Sequence, residues 1–151
     1  MEELIEFVFE GVARRNAGAL FMHLLSNSAE VITFACTENV AESNAATSEV
    51  VTAAIVATMD LSVMAKVRAL QVGPLLLPNG LLRMVKYDDC FDVDCCFDAG
   101  AIKGQVMILH AAVLNLSERF EARTCFAGLE PASDLNTRFF TDREIGPLRG
   151  C

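Results

Sequence analysis

The stretch "YDDCFDVDCCFDAG", residues 87–100, places five aspartates and three cysteines in fourteen positions. Carboxylates and thiols at that density are the side chains that ligate metals or carry redox chemistry, and spacing decides whether they can converge. Read as a strand, the segment alternates: Phe91, Val93, Cys95 and Phe97 line one face, and Cys90, Asp92, Asp94 and Cys96 line the other. Same-side neighbours on a strand are roughly 6.5–7 Å apart, so an ion or small molecule held by the second set would need ligands from elsewhere. A calcium loop counted from Asp92 has Cys96 at its third ligand position and Phe97 where the turn needs glycine. Lys103 then stands where the bidentate glutamate belongs. Zinc would want C-x-x-C spacing, whereas Cys95 and Cys96 are adjacent and the two histidines, His23 and His110, sit far apart in apolar sequence. The acids at Asp88, Asp89, Asp92, Asp94 and Asp98 read as a solvated edge, or as a face towards a basic partner.

With no G-x-S-x-G elbow, no glycine-rich phosphate loop and no H-E-x-x-H pair, nothing in the sequence favours catalysis, and neither a cofactor nor a metal is expected. A metal- or small-molecule-binding domain using Cys90, Asp92, Asp94 and Cys96 is kept as an alternative. The net charge of −8, with 12 basic against 20 acidic residues, leaves no basic stripe to follow a phosphate backbone, so nucleic acid is not an expected partner. Residues 50–67 are the most apolar stretch, but Asp60 and Lys66 interrupt it, and a charge near a helix centre costs about 2.5–3.5 kcal/mol on membrane insertion. No transmembrane segment is expected. The opening "MEELIEFVFEG" carries acids where a signal peptide would carry base, which predicts a cytoplasmic protein with most of its six cysteines reduced.

A length of 151 residues suits one domain. Periodicity predicts a first amphipathic helix over residues 2–15, with Leu4, Ile5, Val8, Phe9 and Val12 at helical spacing. "AGALFMHLL" and "EVITFAC" predict a strand pair about the turn "SNSA". A polar loop over 37–47 leads into a central helix running to about Gln71, and "VGPLLL", "LLRMVKY" and "CFDVDCCF" predict a three-stranded meander. Residues 101–123 return to helix, and 124–151 read as a tail docking through Phe139 and Phe140, with Ser133 placed to cap a short helix.

The resulting order, α-β-β-α-β-β-β-α, resembles the roadblock family of dynein light-chain and Ragulator-type adaptors. "AGALFMHLLSNSAEVITFAC" is similar to that family's opening hairpin, "SEVVTAAIVATM" to the start of its central helix, and "GLLRMVKYDDCFDVDCCFDAGAIKGQ" to its last strands and final helix. The resemblance implies an α+β fold, a five-stranded antiparallel sheet with helices on both faces over residues 1–123, with residues 124–151 outside it. It implies a non-enzymatic adaptor, a homodimer or heterodimer with a related subunit, serving small GTPases or dynein chains and recruited to an organelle surface through a partner. The implied interface is Val56, Met59, Asp60, Val63, Val67 and Leu70 on the central helix, with Leu75, Leu76 and Leu77 on the strand after it. A longin- or profilin-like trafficking domain, sharing parts of this topology, is the alternative.

Overall fold

The computed structural model describes residues 3–36 and 62–148. Strand β1 (Leu4–Ala13) leads into helix α1 (Arg14–Ser26) and strand β2 (Ser28–Cys36). Strands β3 (Ser62–Val72), β4 (Leu75–Tyr87) and β5 (Cys90–Asp98) follow, then helix α2 (Val106–Arg119). The chain closes with β6 (Thr124–Leu129), β7 (Arg138–Thr141) and β8 (Glu144–Ile145). The strands form one eight-stranded sheet in the order β2-β3-β4-β5-β1-β6-β7-β8, antiparallel at every pairing. A five-stranded sheet with helices on both faces is therefore not the architecture.

Several segments differ from the sequence expectation; among them, residues 75–87, expected as two strands parted by a turn at "PNG", run as the single strand β4. Residues 2–15 carry both periodicities, because "LIEFVFEGV" is nearly continuous in apolar β-formers. Pairing decides for strand: β1 lies between β5 and β6, with Ile5, Phe7 and Phe9 at 1% exposure or less on one face and Val8 buried on the other. A strand covered on both sides loses the alternation by which strands are recognised. Residues 17–25 form the helix instead, and Ala17, Leu20, Phe21, Leu24 and Leu25 fall on its buried stripe at i, i+3, i+4, i+7 and i+8. Of the expected central helix, residues 62–71 are strand β3, whose buried residues Val63, Ala65 and Val67 alternate with the exposed Met64, Lys66 and Arg68. The rest of that expected helix lies outside the described residues.

One face of the sheet is the core. A single row of paired residues, Phe34, Ala65, Leu82, Cys95, Phe7, Ala127 and Phe140, crosses seven strands, and all seven are buried. Both helices join this same cluster, α1 through Leu20, Phe21 and Leu24 and α2 through Leu109, Val113 and Leu116. The hairpin turn between β3 and β4 places Gly73 at φ +55°, where a Cβ would stand 2.9 Å from the Ala112 Cβ of α2, so the turn fits against the helix only without a side chain. Residues 124–145, expected as a tail, supply three strands, and Phe139 and Phe140 are core residues.

The strand assignment of β1 fixes which of its side chains matter. Phe7→Ala should lower unfolding free energy by about 3–5 kcal/mol, whereas Leu4→Ala, at an exposed position, should stay within about 0.5 kcal/mol of the parent. Denaturant titration of both variants checks the pair, and equal losses would refute the assignment.

Candidate functional site

The opposite face of the sheet carries the charge. Its central row runs Met64, Arg83, Asp94, Val8 and Phe126 across β3, β4, β5, β1 and β6. Beside it a second row sets Leu81, Cys96 and Glu6 next to one another. The Arg83 guanidinium lies where the two rows meet, its Nε donating to Asp94 Oδ1 at 2.8 Å and its Nη2 to Glu6 Oε2 at 2.9 Å. Glu6 also accepts the Cys96 thiol at 3.5 Å and, through Oε1, the backbone N–H of Ala132 at 3.1 Å.

That last bond anchors the segment between β6 and β7 over one end of the open face. Ala132 is fully buried there against Val8 and Phe126. Arg138 donates from Nε to the Ala132 carbonyl at 2.8 Å and places its guanidinium 3.8 Å from the centre of the Phe126 ring, a cation–π contact. Between this segment and the β4–β5 end of the face lies a shallow concavity of about 240 Å³. Its lining includes four carboxylates, Glu6, Glu10, Asp92 and Asp94, with one guanidinium, Arg83, and its apolar part is Val8, Val85, Phe126 and the ring of Tyr87. Tyr87 is 59% exposed.

One guanidinium serves two buried carboxylates, and the electrostatics follow. Burial pushes the Asp94 carboxyl up to about 6, with the like charges of Glu6 and Asp92 adding to the rise and Arg83 opposing it. For Arg83 burial works to lower the pKa, but Asp94 and Glu6 together hold it above its ordinary value. Asp92 is raised, chiefly by burial, although it accepts the Gly11 N–H at 3.1 Å. Burial and the neighbouring Glu6 push the Cys96 thiol up to about 12, and burial raises Cys95 and Cys125 as well. Thiols so shifted are protonated and unreactive at neutral pH.

The alternative built on Cys90, Asp92, Asp94 and Cys96 is not assembled as such. Asp92 turns to the Gly11 backbone, Asp94 to Arg83 and Cys96 to Glu6, while Cys90 is exposed at the strand end. Ligand atoms of Glu6, Asp94 and Cys96 do lie within 4.8 Å of one another. A cation among them would have to displace the Arg83 guanidinium, which already pairs with both carboxylates, so these residues fit an internal ion pair and not a metal. His23 is half-buried against Phe120, and burial lowers its pKa, with Arg119 adding to the effect. His110 stacks on Phe140 at 4.1 Å and donates to the Asp142 carbonyl, a packing role.

The expected interface residues are dispersed. Val63, Val67, Leu70, Leu75 and Leu77 point into this chain's own core, Leu76 is exposed near the β3–β4 turn, and Val56, Met59 and Asp60 lie outside the described residues. Sequence reading missed Glu6, Glu10, Arg83 and Tyr87. A signal was present: read at a period of two, "EFVFE" sets Glu6, Val8 and Glu10 on one face and "RMVKY" sets Arg83, Val85 and Tyr87 on one face, which a helical reading of the first segment hides.

Among the described residues, then, one face of the sheet is closed by helices and the other is charged and shallowly concave. Comparison with known proteins gives the chain a family. The model of the PABL017 Cdi1I immunity protein family matches residues 3–145, and the chain belongs to that family. It is also similar, at 32% identity and a TM-score of 0.85, to a chain in the crystal structure of the toxic C-terminal tip of CdiA from Pseudomonas aeruginosa in complex with immune protein. That likeness covers 98% of this chain and 99% of the other. No curated protein matches. These findings overturn the roadblock resemblance, and with it the longin- and profilin-like alternative and the expected partners: a related roadblock subunit, small GTPases and dynein chains. The shared element order came from expecting a helix at β1, a strand at α1, a helix through residues 62–71 of β3 and two strands in place of β4.

Asp94 gives the charged row a pH signature. Its folded-state pKa near 6 lies above the ordinary 3.8, so between those values the folded chain binds more protons than the unfolded one. Stability from this group therefore rises as pH falls through 6 and is lost again as pH rises. Thermal unfolding of the parent and of Asp94→Asn, compared from about pH 8 down to about pH 4, should show the parent gaining on the variant, with the change centred near pH 5–6. Parallel curves would place the titration elsewhere.

Proposed function

We infer that the protein is a toxin-neutralising immunity protein, which binds the toxic C-terminal tip of a CdiA-type protein and blocks it by occupancy, not by catalysis. The observation that carries this reading is the near full-length match to the Cdi1I immunity protein family, supported by likeness to a chain solved in a complex of a CdiA tip with immune protein. The site agrees with it. The buried thiols are held protonated, the histidines are engaged in packing, and the charged groups at the centre of the open face are paired internally, which suits a preformed binding surface. An acidic chain also draws a basic partner into encounter and raises the association rate.

The full chain should form a one-to-one complex with a CdiA toxic tip, with a dissociation constant of about 10⁻⁷ M or tighter. Titration calorimetry against a panel of such tips, beginning with that of the P. aeruginosa complex, checks binding. Co-expression should restore growth to cells producing the tip that binds. Absence of both binding and protection across the panel would overturn the reading.

A further inference from the structure

At least three concavities among the described residues could receive a protein. One is the groove of about 670 Å³ between α1, α2 and the β3–β4 turn, where Met107 is 78% exposed and Ile108 39%. Its charged lining is Arg119 together with the titratable His23, and it includes no carboxylate. A second, of about 480 Å³ between α2 and the β7–β8 turn, is lined by Glu118, Glu121, Asp142 and Glu144 with Arg143 and by no aromatic side chain. The third is the concavity of the open face, where carboxylates also outnumber the single guanidinium four to one and Tyr87 adds an exposed ring. The exposed acids Asp88 and Asp89 adjoin it at the β4–β5 turn.

A net charge of −8 favours encounter with a partner of opposite charge, and complementarity of this kind bears on both encounter rate and register. The helix groove presents the wrong sign for that partner. On the open face, Arg83 is committed to Glu6 and Asp94, so its charge is satisfied before any partner arrives. Among the described residues, Asp92 accepts a hydrogen bond from the Gly11 N–H, and Glu10 is held by Arg123 in an exposed pair, which solvent screens and a competing cation can replace. Tyr87 stands at the rim of the same concavity as a large exposed aromatic, the residue type that anchors protein interfaces.

We propose that the toxin tip docks on the open face of the sheet, placing a lysine or arginine side chain beside Asp92 and Glu10, with Tyr87 as the apolar contact at its rim. This rests on the immunity-protein reading and adds to it the surface used and the chemistry of the partner. The concavity is preformed: Glu6 fixes the Ala132 segment at one end and Arg83 fixes the floor, so little ordering remains to be done on binding. The apolar residues Val8 and Phe126 are partly shielded by Arg138 and the Ala132 segment, so the charged end of the concavity is the one left to a partner.

The test uses the full chain and the toxic tip that binds it best among the CdiA panel. Parent binding is measured first, because its absence would sink the immunity reading before any surface is in question. Given parent binding, Glu10→Lys and Tyr87→Ala should each weaken affinity by about tenfold or more. The Glu10→Lys loss should shrink as salt is raised. Met107→Lys, in the helix groove, should bind like the parent, and each variant is first shown to keep the parent's unfolding temperature. The proposal is overturned if Met107→Lys abolishes binding while the open-face variants bind normally, since the tip would then sit on the helices. It is overturned equally if all three bind like the parent.

Discussion

A single carboxylate on the middle strand ties the molecule together. Glu6 lies on β1, between β5 and β6, and at 6% exposure it receives Arg83 from β4, the Cys96 thiol from β5 and the Ala132 N–H from the segment after β6. Burying a charge is tolerable only where it is paired and its remaining lone pairs are satisfied, and every one of these contacts contributes to that condition. The arrangement also fixes register, because a slip of one residue on β1 would send Glu6 into the phenylalanine core and Phe7 into the ion-pair cluster. Those contacts link the two halves of the sheet on the side that no helix among the described residues covers.

The two faces then divide the work. Helices α1 and α2 close the apolar face, and the rows of phenylalanine, leucine and valine beneath them account for much of the chain's apolar content without a second subunit. The open face keeps its charges rigid and internally paired at the centre, with less constrained acids and an exposed tyrosine towards the rim. A surface of this construction suits inhibition by occupancy. It presents fixed features to a partner and needs no reacting group of its own.

Where sequence reading went astray, it did so chiefly for one reason. A strand buried on both faces and a helix of leucine, alanine and phenylalanine both appear as apolar runs, and only their neighbours distinguish them. In β1 the decisive neighbours are Cys95 and Ala127, opposite Phe7 on the two flanking strands, some ninety and one hundred and twenty residues away in sequence. Val63, Val67 and Leu70 likewise fit a helix arc as well as a strand face, and pairing with β2 and β4 settles them as strand. Once β1 was read as a helix, α1 as a strand, residues 62–71 as helix and β4 as two strands, the order fell onto another family's pattern.

The segment 90–98 shows the opposite case, for its alternation, with Phe91, Val93, Cys95 and Phe97 turned to the core, was legible from composition and spacing alone. Strand β2 was legible for the same reason, as was the helical character of 106–119, because their local patterns match what the fold requires, whereas "PNG" read as a turn and divided what is the single strand β4. Spacing also showed that the clustered cysteines and aspartates could not close around an ion unaided. Tertiary structure decided the rest. Which acids become buried, that Arg83 is shared between Glu6 and Asp94, and that residues 124–145 complete the sheet all depend on strands brought together across long stretches of chain. No local propensity encodes a pairing between residues 6, 83, 94 and 132; the low dielectric of the assembled sheet selects it, because each of those polar groups must find its partner there.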